Sequence, residues 1–311
     1  MKKEDGTGAF FLYDLAIVGA GPAGITAAIY AARKKIKTLV VAGDVGGQAA
    51  LSSDVENYTG YQFITGSELA EKFKQHLKQF DIELKAGEEV MEVAKTGGFF
   101  TVKTSGGAYE ARAVIVASGA KPRALNVPGE KEFRNRGVTY CATCDAPVFA
   151  GKDVAVVGGG NSAMDAALQL SKTANKTYFI NANPELRGDE IMKEKVLAAK
   201  NVEVLNNAKI REITGEKTVT GLSVAVGGAE KTLSVQGVFI EIGWVPNSGV
   251  APGTEKNGRG EIIVGPGCET SVSGLFAAGD VTSVPQKQII VAAGEGAKAA
   301  LSAFKYLSTT K

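Results

Sequence analysis

The chain carries one of its own segments twice. At a constant offset of 139 residues, Asp14, Ala16, Val18, Gly19, Gly21, Ala27, Ala28, Lys37 and Thr38 recur as Asp153, Ala155, Val157, Gly158, Gly160, Ala166, Ala167, Lys176 and Thr177. In the first copy Leu15-Ala16-Ile17-Val18 is a short apolar run bounded by turn residues, which suits a buried parallel strand. A glycine cluster follows, then Ile25, Ala28, Ile29 and Ala32 at helical spacing, then a second apolar run at Lys37-Thr38-Leu39-Val40-Val41. Two copies are too few for a solenoid. They fit two nucleotide-binding domains of one type.

The glycine spacing has a physical reading. Gly19 permits a tight turn, Gly21 lets the backbone approach a pyrophosphate, and Gly24 lets helix and strand pack closely; Pro22 and Ala23 complete the loop. The pyrophosphate then meets the positive end of the helix dipole. The second cluster, Gly158-Gly159-Gly160-Asn161-Ser162-Ala163, has Ala163 where the third glycine would stand. A lone glycine fingerprint is a weak signal, but here each has a strand before it and a helix after it. Between the copies, runs at 89–94 and 99–104 flank Gly97-Gly98 as a hairpin pattern, and Ala113–Ser118 reads as a buried strand ending on Gly119. Strand periodicity resumes at 202–205, 221–225 and 233–240, and a final helix is expected from about Lys287 to Tyr306. The expected architecture is α/β: two Rossmann-like, three-layer ββα domains, the second inserted into the first. Residues 1–120 and 248–311 form the first domain and 121–247 the second, with crossings near Lys121 and Asn247, beside Pro122 and Pro246.

Net charge is +2, with 44% hydrophobic and 22% charged residues, so electrostatics point to neither nucleic acid nor membrane as a partner. Glu4, Asp5 and Asp14 interrupt any basic-then-apolar leader, and no apolar run of spanning length occurs; a cytoplasmic protein is expected. There are three cysteines and one histidine, His76. Cys141 and Cys144 form a C-x-x-C pair, which reads as redox chemistry or half of a metal site. If the second half of the pair starts a helix, the dipole lowers the thiol pKa at Cys144. Asp145 follows directly and is the natural proton donor and acceptor for a dithiol. Zinc would need further ligands, and only Cys268 and His76 remain, so no metal is expected. Cys268 reads as a buried structural thiol.

Tyr140-Cys141-Ala142-Thr143-Cys144-Asp145 closely resembles the active-site sequence of low-molecular-weight thioredoxin reductases. The likeness covers nearly the whole chain. Gly46-Gly47-Gln48 and Val55-Glu56-Asn57-Tyr58-Thr59-Gly60 resemble that family's flavin contacts, Gly279-Asp280-Val281 resembles the motif whose Asp holds the FAD ribityl chain, and Lys287-Gln288 stands where the family has Arg-Gln. The C-terminal half also resembles the flavoprotein subunit of alkyl hydroperoxide reductase, which carries an additional N-terminal disulfide domain not expected here. The resemblance implies an FAD enzyme, a nicotinamide donor, thioredoxin or a thioredoxin-like protein as partner, and a homodimer. It implies that Gly19, Gly21, Pro22, Ala23, Gly24, Gly47, Gln48, Asn57, Gly119, Asp280, Lys287 and Gln288 serve FAD. Gly158, Gly160, Asn161, Ser162, Ala163, Asn181 and Arg187 would serve the nicotinamide. It further implies that Cys144 faces the flavin, that Cys141 attacks the partner disulfide, and that the inserted domain rotates on its two crossings.

One stretch departs from the family. NADPH-specific members carry His-Arg-Arg, three residues, then Arg after the second strand of the inserted domain. This chain has Asn181-Ala182-Asn183-Pro184-Glu185-Leu186-Arg187, so only Arg187 matches. A 2′-phosphate prefers paired Arg forks. The acidic residue that holds an NAD ribose is also missing, though Asn181 could hydrogen-bond a ribose hydroxyl. The order of expected donors is NADH, then NADPH, then ferredoxin, which serves some relatives lacking the basic motif. Other acceptors for the same chemistry are glutaredoxin-like or peroxiredoxin-linked proteins. A non-catalytic redox sensor would be marked by loss of a Cys or of Asp145, and a ferredoxin (flavodoxin)–NADP reductase lacks the C-x-x-C; this chain retains all three residues.

Overall fold

The computed structural model describes residues 12–51, 54–55 and 57–310. The chain divides into two compact units: one runs to Lys121 and resumes at Val245, and the other is Pro122–Trp244.

In the first unit the strand Leu12–Ala20 lies at the middle of a seven-stranded sheet. It pairs in parallel with Thr38–Val45 on one side and Gly107–Val116 on the other. Glu83–Ala86 extends the sheet beyond Thr38–Val45, and Leu275–Ala277 pairs in parallel with Gly107–Val116. The long strand Gly107–Val116 serves two layers. Its beginning runs antiparallel to Phe99–Thr104, which hairpins onto Val90–Thr96 across Gly97-Gly98. Successive side chains point to opposite faces of a strand, and here both faces are covered. Leu15, Ile17, Ala113 and Ile115 enter a core with Ile25, Ala28 and Ala299 from the helices Pro22–Arg33 and Ile289–Thr309. Ala16, Val18, Val114 and Val116 enter a second core with Phe100 and Val102 of the hairpin layer. That double burial is why the first strand reads as a continuous apolar run rather than an alternation.

The second unit repeats the plan. Its parallel sheet runs Val138–Thr139, Gly237–Ile240, Asp153–Val157, Lys176–Ile180, Val202–Leu205. Ala208–Gly215, Val219–Val226 and Ala229–Ser234 form an antiparallel layer. Val154 and Val156 face the helices, and Ala155 and Val157 face the antiparallel layer. The register repeats as well. Leu15 lies opposite Thr38 and Ala113, and Val154 lies opposite Thr177 and Gly237.

Two expectations change in detail. The periodic stretch 233–240 is not one strand: Ala229–Ser234 belongs to the antiparallel layer and Gly237–Ile240 to the parallel sheet. The C-terminal helix starts at Ile289, because Gln288 is extended (φ −132°, ψ 148°). No described helix is long and apolar enough to cross a membrane.

The two helices on the first sheet meet through glycine. A Cβ on Gly296 would lie 2.0 Å from the Ala23 carbonyl oxygen, whereas one on Gly294 would meet nothing within 4 Å. Gly296→Ala should therefore destabilise the protein by about 1–3 kcal/mol through overpacking. Gly294→Ala should stabilise it by up to ~1 kcal/mol through helix propensity. Urea denaturation of the two variants beside wild type measures both signs.

Candidate active site and nucleotide sites

The first glycine turn is fixed by close approaches. Gly19 has φ +103°, and a Cβ there would lie 2.3 Å from the Ala117 carbonyl oxygen; a Cβ on Gly24 would lie 1.9 Å from the Gly19 carbonyl oxygen. Gly21 is the N-cap of Pro22–Arg33 and brings no side-chain cap. The first N–H groups of that helix are thus left for an external acceptor. Gly47 comes close to the mouth of the turn, where a Cβ on it would lie 3.0 Å from Gly21 Cα. On the Gly47 side, with φ +58°, bare backbone is required, whereas a Cβ on Gly21 would make an ordinary contact at 3.8 Å. Gly47 N–H donates to Asp44 (3.0 Å), and Gln48 is exposed in the short 3₁₀ turn Gly47–Leu51.

Residues remote in sequence complete this end of the sheet. Asn57 donates to Gln288 at 3.1 Å across 231 residues of chain. Glu56, between Val55 and Asn57, lies outside the described residues. Gly119 has φ +64° and accepts from the Asn247 N–H (2.9 Å). Asp280 follows the strand Leu275–Ala277. Its carboxylate has no hydrogen-bond partner among the described residues. Burial pushes its pKa up, and Lys287 pulls it partly back. Lys287 itself pairs with Glu261 at 3.1 Å and donates to the Thr282 carbonyl. Sequence reasoning missed Glu295. It is buried within the C-terminal helix, accepts from the Gly279 N–H at 2.7 Å and takes a longer bond from the Thr282 hydroxyl. It holds the loop that presents Asp280. An uncapped helix N-terminus, a glycine-lined mouth and a half-buried, unsatisfied carboxylate suit a pyrophosphate joined to a hydroxylated chain. These residues therefore fit FAD.

The second turn is built alike. A Cβ on Gly158 would lie 2.3 Å from the Glu241 carbonyl oxygen, and Gly160 is an N-cap without a side-chain cap on Asn161–Leu170. Ala163 is buried, Ser162 is exposed, and the Asn161 side chain accepts from the Asp189 N–H at 2.9 Å. Arg187 lies beside the turn: its N–H donates to the Gly159 carbonyl at 2.7 Å, and its side chain is exposed. Among the described residues the guanidinium has no ion pair. Asn181 follows the strand Lys176–Ile180. It is fully buried; its amide donates to Asn206 (2.8 Å), and its oxygen accepts from the Asn183 N–H (3.1 Å) and side chain (3.3 Å). These bonds shape the loop that follows the strand.

The C-x-x-C pair lies at the helical turn Ala142–Asp145, after the strand Val138–Thr139. Cys141 is in a disulfide, and Cys268 is a free, buried thiol. The backbone of Cys144 lies in the turn, and its side chain is outside the described part of the structure. Thr139, unnoticed in the sequence, organises this segment: its hydroxyl donates to the Asp145 carboxylate and accepts from the Cys141 N–H at 3.2 Å. Tyr140 is braced from the other side. Its hydroxyl donates to Glu130 (2.7 Å), a buried carboxylate that also accepts from the Leu125 and Asn126 N–H groups. Burial and Glu130 push the Tyr140 pKa up to about 12. The backbone around Cys141 is thus pinned on both sides by side chains that are themselves fixed.

The chain is similar to known proteins over nearly its whole length. The profile of the family described as pyridine nucleotide-disulphide oxidoreductase matches residues 13–296. An alkyl hydroperoxide reductase subunit of Escherichia coli (strain K12) is 44% identical over 307 residues, covering 96% of this chain and 59% of its own length. An NADH dehydrogenase of Bacillus subtilis (strain 168) is 44% identical over 298 residues, covering 95% and 58%. The chain thus spans somewhat under three fifths of the length of these curated relatives. A crystal structure of Lactococcus lactis thioredoxin reductase superimposes with a TM-score of 0.84 at 32% identity, covering 96% of this chain and 99% of that one.

The Glu295–Gly279 bond gives a direct test of the first site. Glu295→Gln keeps an acceptor for the Gly279 N–H and should retain flavin. Glu295→Ala leaves that buried N–H unpaired, which costs about 1–3 kcal/mol. It should also lower the flavin content. Visible absorbance per mole of purified protein, beside urea denaturation, measures the two effects.

Proposed function

Because the chain belongs to the pyridine nucleotide-disulphide oxidoreductase family, we propose that it is a flavoenzyme passing reducing equivalents from NADH through FAD and the Cys141–Cys144 pair to the disulfide of a thioredoxin-like protein. The observation that carries this reading is the Cys141 disulfide at the entry of a helical turn, with its backbone and Asp145 both held by Thr139. FAD, bound by Gly19–Gly24, Gly47, Asn57, Asp280 and Gln288, supplies the means of turning a hydride from the nicotinamide into a two-electron reduction of the disulfide. The residues of the chain do the rest. The Cys141 thiolate attacks one sulfur of the partner disulfide, forming a mixed disulfide and releasing the other partner sulfur as a thiol. Cys144 then attacks the Cys141 sulfur, which restores the internal disulfide and frees the second partner thiol. Asp145 supplies and recovers protons in these steps, and its bond to Thr139 fixes its position.

The preference for NADH rests on the loop after Lys176–Ile180. Asn181, Ala182 and Asn183 are neutral, and Arg187 is the one cation between 181 and 187. A 2′-phosphate would find a single charge-assisted contact there instead of an arginine cluster. A second acceptor, a peroxiredoxin-linked disulfide protein, is favoured by the 44% identity to the alkyl hydroperoxide reductase subunit. Turnover with thioredoxin and with a peroxiredoxin system, side by side, separates the two.

Cys141→Ser should abolish reduction of a protein disulfide while leaving anaerobic flavin bleaching by NADH largely intact, because the flavin precedes the dithiol. Unchanged disulfide turnover in this variant would reject the relay. Catalytic efficiency with NADH should equal or exceed that with NADPH. Ala182→Arg combined with Asn183→Arg should raise NADPH efficiency by roughly tenfold or more, since each charge-assisted contact is worth about 1.5–3 kcal/mol. NADH efficiency should stay nearly constant. Steady-state kinetics with both nucleotides provides the check.

A further inference from the structure

The repeated fold shows which side chains its turns do not need. Ala113 and Gly237 occupy the same register position beside the first strand of their copies, so four residues later Ala117 and Glu241 correspond. Both perform the same backbone task. The Ala117 N–H donates to Val18 (2.8 Å) and the Glu241 N–H to Val157 (2.7 Å). Their carbonyls stand equally close, at 2.3 Å, to the Cβ position of the turn glycine. Ala117 does this with a methyl side chain, so the carboxylate of Glu241 is surplus to the turn.

That carboxylate is directed into the dithiol segment. The strand that ends at Glu241 pairs in register with Val138–Thr139, the strand that leads into the dithiol segment, which sets Glu241 beside that segment; the N–H of Ala142, the residue joined to Cys141, stabilises the ionised carboxylate. Ala142 is buried against Ala163 and Ala167 of the helix carrying the second glycine turn. Glu241 itself stands at the strand end against Gly158, the first glycine of that turn. Among the described residues it has no ion pair. The charged group facing it from the neighbouring helix is Asp165, another acid. On the dithiol segment the titratable groups are Cys141, Cys144 and Asp145, the last bonded to Thr139. A half-buried carboxylate with no cation beside it and an acid facing it is held away from its ionised form.

We propose that Glu241 is a positioning residue for the dithiol: charged, it disfavours the Cys141 thiolate; neutral, it leaves that thiolate free to form. The proposal rests on the reading of Cys141 as the working thiol. Two like charges near one site cannot both ionise readily, so the proton lost by one group is more easily held by the other. Burial pushes the Glu241 pKa up to about 7, with the Ala142 N–H pulling it back and Asp165 adding to the rise. The switch then falls near neutral pH. Above it, Glu241 is ionised and the Cys141 pKa rises; below it, Glu241 is neutral and the restraint is gone.

The test uses the full chain, reduced with dithiothreitol and desalted without oxygen. The rate of alkylation of Cys141 by iodoacetamide is followed by peptide mass spectrometry across pH, with buried Cys268 as an internal control. Glu241→Gln retains an acceptor for Ala142 and loses the charge. Wild type and variant should react alike below about pH 6, and the variant should react roughly tenfold faster near pH 8. Wild type alone should show a profile stretched through neutrality, as two coupled ionisations require, so the test survives a variant that fails to fold. Superimposable profiles, a uniform offset at every pH, or a wild-type profile fitted by one ionisation would each overturn the proposal. Alkylation does not require flavin, nicotinamide or partner. Failure of the proposed function would appear separately, as absence of disulfide turnover in wild type.

Discussion

Both nucleotide turns depend on one close approach: a carbonyl at the end of a neighbouring strand presses against the α-carbon of the first glycine. The Ala117 oxygen does this at Gly19 and the Glu241 oxygen at Gly158, each leaving 2.3 Å where a side chain would begin. Any side chain there would push the turn off the strand ends. The helix that follows would move with it, and its free N–H groups would no longer converge at the mouth of the turn. The same economy appears one layer out. Gly24 sits on the Gly19 carbonyl and Gly296 on the Ala23 carbonyl, so strand, first helix and last helix are stacked backbone against backbone. The last helix delivers Glu295, and Glu295 holds the loop of Asp280. Placement of the carboxylate that suits a flavin chain thus follows from three glycines on two helices and a strand.

This explains which parts are legible in the sequence. A glycine forced by a local clash leaves a local mark, and both turns, their strands and their helices can be read from the 139-residue repeat. The C-x-x-C pair is equally local. The stretch 233–240 misleads because it holds two short apolar alternations, 233/235 and 238/240, and the step of three between Val235 and Val238 is where the chain passes from the antiparallel layer to the parallel sheet. Pattern alone does not say which neighbour a strand chooses. Asn57 and Gln288 are matched by resemblance, but their mutual bond spans 231 residues and belongs to tertiary structure.

The residues invisible to sequence reasoning share a different cause. Glu295, Glu241 and Glu130 are single acids, and an acid in a sequence ordinarily signals solvent. Each is instead buried or half-buried and accepts backbone N–H groups: Gly279 for Glu295, Ala142 for Glu241, Leu125 and Asn126 for Glu130. Unpaired buried N–H groups are costly, so a loop that turns away from regular secondary structure needs such acceptors. The sequence shows the acid but not the donors, which come from elsewhere in the chain. The bonds of Asn181 to Asn206 and Asn183 are tertiary in the same way: they exist only once the strand ends are side by side.

The duplication also separates what the fold requires from what chemistry adds. Where the copies agree, as at Gly19 and Gly158, the residue answers a backbone constraint common to both units. Where they differ, the constraint is absent and the side chain is free to serve the unit it belongs to. Gly24 is needed because the first copy packs against a carbonyl at 1.9 Å; the second copy accommodates Ala163, fully buried at the same position. Thr38 bonds the Ile36 carbonyl, whereas the buried hydroxyl of its counterpart Thr177 has no partner among the described residues, a residue retained without the bond that serves the other copy. Ala117 and Glu241 are the sharpest contrast. The first unit keeps a methyl group at the end of its strand, and the second, the unit that holds the disulfide, places an ionisable, half-buried carboxylate there. Shared packing does not account for that substitution, so its cause lies in what the second unit alone contains.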